Sequence, residues 1–172
     1  MSHYCVNCGV ALEPRRIEGR DLEGCPRCGF VLWHDPKVVT MVVVEDGEGR
    51  VVMGRRGIDP GYGLWCLPGG FVNDDEHPAA SAARECREEI CAEVEISGLL
   101  GVYHIEKQGA PSMVGIAYTA RLTDGAEPSP GSEMLEVASF AAFEVPPLAF
   151  SSHREAMSDW LAKREQFETE RR

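Results

Sequence analysis

The sequence predicts an α/β fold with a small cysteine-rich module ahead of it. Stretches rich in valine and other β-branched residues, which favour strands, occur before residue 77 and again after residue 93. Between them lies a segment whose apolar residues recur with the spacing of one helix face. A second helical pattern near the C-terminus and two Cys-x-x-Cys pairs near the N-terminus complete the outline.

Length and composition are typical of one main domain with a small appendage. The chain has 172 residues, of which 44% are hydrophobic and 26% charged. Its apolar runs are far shorter than the ~20 residues of a membrane helix, and no secretory leader is visible, so we expect a cytoplasmic protein without a membrane span. The net charge of −11 argues against nucleic-acid binding through an overall positive field. An anionic substrate would instead need a divalent cation held by carboxylates.

Two cysteine pairs predict a structural zinc site. The pairs Cys5-x-x-Cys8 and Cys25-x-x-Cys28 are separated by sixteen residues, which matches the spacing of four-thiolate zinc sites. Two such turns complete a tetrahedron with no open position, so we predict a structural zinc ribbon over residues 1–35. The alternative is a redox-active dithiol, which would not require two matched pairs. The remaining cysteines are expected to be buried as small hydrophobes: Cys66, Cys86 and Cys91.

The elements of the main domain follow from the periodicity of the chain. Pro78 suits the first position of a helix, and the residues after it carry an apolar stripe that reaches Ile90. The last helix carries apolar residues on or near one face, among them Trp160 and Phe167. We expect strands at 37–45, 50–55, 94–106, 112–122 and 136–143, a short apolar run at 64–67, helices at 78–90 and 152–167, and a charged tail at 169–172.

Three glutamates share one face of the helix predicted at 78–90. At about 100° per residue, Glu85, Glu88 and Glu89 fall within an arc of about 100° beside the apolar stripe. Like charges at these spacings destabilise an isolated helix by about 0.2–0.5 kcal/mol per pair, and a hard cation such as Mg²⁺ would remove the repulsion. On spacing alone, a solvated acidic face is the alternative.

A longer pattern around these glutamates resembles the signature of the Nudix hydrolases, G-x5-E-x7-R-E-U-x-E-E-x-G-U, in which U is a bulky apolar residue. The matching positions are Gly70, Glu76, Arg84, Glu85, Glu88 and Glu89. Pro68-Gly69-Gly70 also resembles the lead-in of this family. The departures are Cys86 and Ala92 at U positions and Cys91 where the family has glycine. A cysteine adopts a positive φ less readily than glycine does.

The resemblance implies a Nudix fold, an α/β/α sandwich with a mixed sheet, over residues 36–168. It implies that Glu85, Glu88 and Glu89 bind Mg²⁺ or Mn²⁺ or activate the attacking water. It also implies that Arg84 and Glu76 pair and brace the loop and the helix. Metal ions that bridge a diphosphate offset its charge and lower the pKa of the attacking water, so no covalent nucleophile is required.

With a zinc ribbon ahead of the signature, the chain resembles the ribbon-bearing Nudix enzymes. These comprise the NADH pyrophosphatases and a second group that acts on ADP-ribose or FAD-like dinucleotides. Residues 99–106 lack the S-Q-P-W-type motif of the NADH group, which favours the second group. By the same resemblance, Glu133 is a further carboxylate at the metal site, with Glu136 as the alternative. Ribbon-bearing relatives also imply a homodimer.

The expected function is hydrolysis of the diphosphate bond of a small nucleotide, with ADP-ribose or FAD as the expected substrate. The alternatives are an NADH pyrophosphatase and a nucleic-acid-binding or regulatory protein that uses the domain as a sensor. Gly69 and Gly70 would let the backbone approach phosphate closely, and Arg55, with Arg56 beside it, would contact phosphates. Two further acid–base candidates, which the family does not require, are His104 and His153.

Overall fold

The computed structural model describes residues 3–106 and 111–170, without the side chains of residues 168 and 170. The chain divides into two compact units between Pro36 and Lys37. The tail predicted at 169–172 lies partly outside the described residues, because 171 and 172 are not among them. Residues 169 and 170 continue the last helix.

The described part of the N-terminal unit is a three-stranded antiparallel sheet with a small core that contains cysteines. Its strands, in sheet order, are β1 (Glu13–Ile17), β2 (Arg20–Gly24) and β3 (Val31–Leu32). Cys5, Leu12 and Cys25 are buried at its centre. Gly9 and Gly29 follow the cysteine pairs with φ values of 71° and 76°, a conformation that glycine adopts without a Cβ clash. Each closes a turn by donating its N–H to the carbonyl of the first cysteine of its pair.

A six-stranded mixed sheet forms the centre of the described part of the C-terminal unit. The strands are β4 (Lys37–Glu45), β5 (Val51–Arg56), β6 (Trp65–Cys66), β7 (Val94–Ile105), β8 (Met113–Leu122) and β9 (Met134–Phe140). Five of them lie in the order β6-β5-β4-β8-β7, and β9 also pairs with β5. Because β4 runs parallel to β8 while the other pairs are antiparallel, the predicted mixed sheet is confirmed.

Alternation along β4 sends side chains to two cores, one on each face of the sheet. Met41 packs with residues of helix α2 (Ser151–Glu170), and Val42 packs with residues of helix α1 (Pro78–Ile90). Because successive side chains of a strand point to opposite faces, one valine-rich strand stabilises both helix layers. The C-terminal unit is therefore an α/β/α sandwich, as the resemblance implies.

Helix α1 begins with favourable caps and ends in a strained residue. Pro78 occupies its first turn, and the His77 Nδ1 accepts a hydrogen bond from the N–H of Ala79 at 3.2 Å. At the other end, Cys91 adopts the left-handed conformation, with φ 48° and ψ 35°, where glycine is the usual residue. The Cys91 side chain is exposed, so the prediction that it is buried is wrong. It lies one residue beyond the apolar stripe, whereas the other two unpaired cysteines of this unit are buried.

Helix α2 covers the sheet with its first half. Ala156, Met157 and Trp160 are buried in the core. Phe167, which its spacing places near the same face, is 66% exposed. No described residue after Trp160 is buried, because the helix extends past the core that it covers. Among the described residues, no helix combines the length and the hydropathy that a membrane span needs.

Candidate active site

Four glutamates among the described residues line one cavity of about 750 Å³ in the C-terminal unit. Glu85, Glu88 and Glu89 come from α1, and Glu133 comes from the loop before β9. The end of β5 contributes Arg56. The structure thus brings a carboxylate from a distant loop to the three helix glutamates. Other lining residues include Asp59, Pro60, Gly69, Gly70, Phe71 and Arg84.

The guanidinium of Arg84 holds three carboxylates in place. Its Nε and Nη2 donate to the two Glu76 oxygens at 3.1 and 2.8 Å. Its Nη1 donates to Glu85 at 2.7 Å and to Glu88 at 3.0 Å. The bidentate pair lowers the pKa of Glu76 to about 2, and the hydrogen bonds to these carboxylates raise the pKa of Arg84. Glu76 also accepts the N–H of Asn73 at 2.9 Å, so the ion pair joins the loop before α1 to the helix.

Glu89 is the most buried of the four cavity glutamates, with 6% of its surface exposed. Its Oε2 accepts the N–H of Gly69 at 2.9 Å. Burial nevertheless raises its pKa to about 8, and burial likewise raises the pKa of Glu85. Two neighbouring carboxylates removed from water form a donor set that a hard cation stabilises.

Three glycines allow the backbone to approach the glutamates closely. A Cβ on Gly69 would overlap a carbonyl oxygen of β4, and a Cβ on Gly131 would overlap a carbonyl oxygen of α1. A Cβ on Gly70 would meet the Glu85 carboxylate itself. A side chain at Gly69 would therefore push its loop away from β4, one at Gly131 would push the Glu133 loop away from α1, and one at Gly70 would displace the Glu85 carboxylate.

Two backbone hydrogen bonds fix the loop that carries Glu133. The N–H of Gly131 donates to the carbonyl of Glu89 at 2.9 Å, and the N–H of Gly57 donates to the carbonyl of Glu133 at 2.7 Å. The Glu133 charge adds to the burial that raises the Glu89 pKa. The loop is thus tied to α1 on one side and to the end of β5 on the other. Without the family resemblance, no local pattern in the sequence indicates this placement.

Of the two arginines that end β5, the structure brings Arg56 and not Arg55 to the cavity. Arg55 pairs with Glu136 of β9 at 3.0 Å, and neither of these residues lines the cavity. Arg56 is buried and donates from its Nε to the carbonyl of Pro60 at 2.7 Å. Strand alternation alone does not tell which of two adjacent arginines faces a site. The register shift between them, in the pairing of β5 with β9, is likewise invisible in the sequence.

A second cavity, of about 570 Å³, adjoins the first. The two cavities share the lining residues Arg56, Pro60, Gly69, Gly70 and Phe71. Much of the remaining wall is apolar and comes from the sheet and the start of α2, including Val39, Met41, Ile105, Met113 and Phe150. Of the two histidines considered from the sequence, His153 lines this cavity, whereas His104 lines neither.

The four paired cysteines lie close enough to share one metal ion. Their sulfurs all lie within 4.8 Å of one another. The Cys5–Cys28 and Cys8–Cys25 sulfur separations are 3.5 Å, and the Cys8–Cys28 separation is 3.7 Å. A tetrahedron with Zn–S bonds of about 2.3 Å places sulfurs about 3.8 Å apart, so the geometry fits zinc. Within the described part of the chain, no other group of three or more His, Cys, Asp or Glu side chains is so compact.

The glutamate cavity offers a more open donor set than the cysteines do. Its carboxylates surround a space instead of meeting at one point, and Glu88 is exposed. Mg²⁺ keeps several waters and takes one or two carboxylates together with substrate phosphates, and Mn²⁺ prefers the same oxygen donors. A donor set that leaves room for water and phosphates therefore fits such an ion. The residues that would hold it are Glu85, Glu88, Glu89 and Glu133.

Comparisons with known proteins agree with this architecture. The sequence model of the NUDIX domain family matches residues 35–161. The crystal structure of a NUDIX hydrolase from Nitrosomonas europaea shares 32% sequence identity with a TM-score of 0.83, covering 95% of this chain and 92% of that chain. An ADP-ribose pyrophosphatase of Methanocaldococcus jannaschii is 27% identical over 154 residues, which are 89% of this chain and 86% of that protein.

A MutT-like protein of Streptomyces ambofaciens is 40% identical over 81 residues, so the match covers 49% of that protein and 47% of this chain. The family model, by contrast, matches a range that includes the buried residues of α1 and α2 and all residues that line the glutamate cavity. The Nitrosomonas structure agrees along nearly the full length of both chains. This chain therefore belongs to the NUDIX hydrolase family.

Proposed function

We propose that this enzyme hydrolyses the diphosphate bond of a nucleoside diphosphate derivative, with Mg²⁺ or Mn²⁺ bound by the four cavity glutamates. The observation that carries the proposal is the convergence of Glu85, Glu88, Glu89 and Glu133 on one cavity. A merely solvated acidic face would leave all its carboxylates in water, whereas Glu85 and Glu89 are buried. Buried carboxylates that converge on an open cavity favour a cation bound together with an anionic substrate.

The residues of the cavity have separable tasks in this reaction. When bound, the cation offsets the diphosphate charge and lowers the pKa of the attacking water. Glu85 and Glu89 serve as ligands or as the base that takes the proton of that water. Arg84 and Glu76 keep the carboxylates in place through their ion pair. Arg56 provides a fixed positive charge for the phosphates.

ADP-ribose is the substrate that the observations support best, with FAD as the nearest alternative. The Methanocaldococcus relative, which aligns with most of this chain, is named an ADP-ribose pyrophosphatase. Residues 99–106 lack the motif of the NADH group. The apolar cavity beside the glutamates gives room for a nucleoside next to the diphosphate. The products from ADP-ribose would be AMP and ribose 5-phosphate.

A substrate panel tests this proposal. ADP-ribose, FAD, NADH, a capped dinucleotide and a nucleoside triphosphate are assayed with Mg²⁺, with Mn²⁺ and with EDTA. We expect ADP-ribose or FAD to give the highest kcat/KM, which is the ratio that measures discrimination, and EDTA to abolish hydrolysis. A clear preference for NADH would contradict the substrate assignment but not the mechanism. Inactivity on the whole panel, with nucleic acid bound instead, would favour the sensor alternative.

We further propose that Cys5, Cys8, Cys25 and Cys28 bind one structural Zn²⁺. Four thiolates complete the tetrahedral coordination of zinc and leave no position for a substrate. The core of the N-terminal unit is small, and domains of this size rarely fold without a disulfide, a bound metal or oligomerisation. The ion would therefore contribute to stability and not to hydrolysis.

A further inference from the structure

His153, in the first turn of α2, is buried and uses one ring nitrogen to hold the backbone. It is 9% exposed, and its Nδ1 accepts the N–H of Leu67 at 3.1 Å. Burial, with Arg56 and Arg154 nearby, lowers its pKa to about 3, so the ring is neutral. A neutral imidazole that accepts at Nδ1 carries its proton on Nε2. The second nitrogen of His153 is therefore a hydrogen-bond donor.

This donor has no hydrogen-bond partner within residues 3–106 and 111–170, where the only hydrogen bond of the ring is the one to Leu67. The ring lines the cavity of about 570 Å³ beside the glutamates. Among the described residues, the fully buried side-chain polar atoms without a partner are Thr40 Oγ1 and Arg55 Nε, so the Nε2 of His153 is accessible from the cavity. A neutral donor that is held in a fixed orientation and faces a cavity is placed to donate to a ligand that supplies an acceptor.

The walls around His153 suit a flat ring. Met41 and Ile105 belong to the apolar face of the sheet that lines the cavity. Phe150 packs edge-on against His153, with ring centroids 5.0 Å apart. A sugar phosphate would lose hydrogen bonds between its hydroxyls and water in these surroundings. A nucleobase, in contrast, has apolar faces and acceptor atoms at its edge, which is the combination that apolar cavities with few polar groups select.

Arg56 connects this cavity with the glutamates. It lines both cavities, and its guanidinium lies 5.0 Å from the centroid of the Phe150 ring. We infer that the apolar cavity holds the nucleoside half of the substrate, and that the Nε2–H of His153 donates a hydrogen bond to an acceptor atom of the base. This inference rests on the proposed function, because it names the part of the substrate that the cavity receives. It makes His153 a specificity residue with no role in the chemical step.

Two substitutions separate the ligand contact of His153 from its backbone contact. In His153→Asn, the amide oxygen replaces Nδ1 as acceptor for Leu67, and nothing replaces the Nε2–H donor. In His153→Gln, the amide nitrogen replaces the Nε2–H donor, and the N–H of Leu67 loses its acceptor. The measurements are calorimetric binding of AMP and of ribose 5-phosphate with Mg²⁺, the KM for ADP-ribose, and the Tm of each protein.

We expect His153→Asn to weaken AMP binding and to raise the KM for ADP-ribose by about tenfold, the loss typical of one hydrogen bond to a ligand. Its Tm and its affinity for ribose 5-phosphate should stay as in the wild type. His153→Gln should show the opposite pattern, with a lower Tm and a smaller loss of AMP affinity. A merely structural role for His153 predicts normal AMP binding in His153→Asn.

The outcomes distinguish failure of this inference from failure of the proposed function. Unchanged AMP affinity in His153→Asn overturns the inference, even if His153→Gln does not fold. Absence of AMP binding to the wild type, or a loss of ribose 5-phosphate binding instead of AMP binding, also overturns it. Failure of the proposed function has a different signature, in which the wild type binds AMP in the manner expected but hydrolyses no member of the substrate panel.

Discussion

The four cysteines of the N-terminal unit and the four glutamates of the C-terminal unit both surround a space suited to a metal ion, but the chain holds them differently. The cysteines sit in two tight turns, and their sulfurs all lie within 4.8 Å of one another. The glutamates depend on a helix, a distant loop and an arginine for their positions. A compact ligand set fills the coordination of its ion, whereas a spread one leaves room for water and substrate.

The two regions also differ in what stabilises them without metal. Arg84 gives the glutamates a counter-charge supplied by the protein, and the sheet and helices around them form two large cores. The N-terminal unit has a small core in which Cys5 and Cys25 are themselves central residues. Loss of metal should therefore abolish folding in one region and activity in the other.

The largest effect is expected from Cys25→Ser. Elemental analysis should find one zinc per wild-type chain and none in the variant, and hydrogen exchange should show that residues 3–36 lose their protection. Metal binding supplies much of the folding free energy of such small units. Cys91→Ser, at an exposed cysteine outside the group, is the control and should retain the zinc. A wild type without zinc would contradict the assignment, as would hydrolysis that stops when zinc leaves a unit that stays folded.

The second largest effect is expected on the turnover of variants of the cavity glutamates. Glu88→Gln and Glu89→Gln are each expected to lower kcat by at least about a hundredfold, because glutamine keeps the size of the side chain and removes the charge that binds the cation. The Tm of Glu89→Gln should not fall, since Glu89 and Glu85 are neighbouring buried carboxylates. Kinetics at saturating Mg²⁺ and thermal melting measure both quantities.

The matched control for the glutamate variants is Glu95→Gln. Glu95 is exposed on β7 and lines neither cavity, so its variant should keep wild-type turnover. Near-normal turnover in both Glu88→Gln and Glu89→Gln would show that the cavity glutamates are not the metal site. Loss of Tm in Glu89→Gln would show that its charge stabilises the fold instead.

Local patterns predicted the elements that a single stretch of chain determines. The proline and the apolar stripe placed α1 at 78–90, which are its observed bounds. The predicted start of strand β9 is less accurate, because β9 begins at Met134, two residues before it. Met134 packs so closely over Gly54 that a Cβ on the glycine would contact the Met134 sulfur. Met134 also pairs with Arg56 across the register shift of β5, and the periodicity of 134–140 alone does not indicate such a pairing with a distant strand.

The site shows the same division between local and distant information. The helix spacing alone put Glu85, Glu88 and Glu89 on one face. The choice of Arg56 over Arg55 depends on how β5 is aligned in the sheet. The role of His153 depends on a hydrogen bond to Leu67, and the histidine itself carries no motif. Residues positioned by tertiary contacts therefore require the structure.

The smallest expected effect concerns Cys91, which ends helix α1 in the left-handed conformation. Cys91→Gly should raise the free energy of unfolding by about 0.5–1 kcal/mol, because a left-handed conformation costs an L-residue about 1–2 kcal/mol and the entropy that glycine gains in the unfolded chain offsets part of this relief. Urea denaturation under reducing conditions measures it. Cys91→Ala removes the thiol but keeps the Cβ, so it should show no comparable gain. Equal stability of the two variants would mean that φ 48° at this position carries little strain. A gain confined to Cys91→Gly would instead explain why the Nudix signature has glycine at this position, directly after its helix.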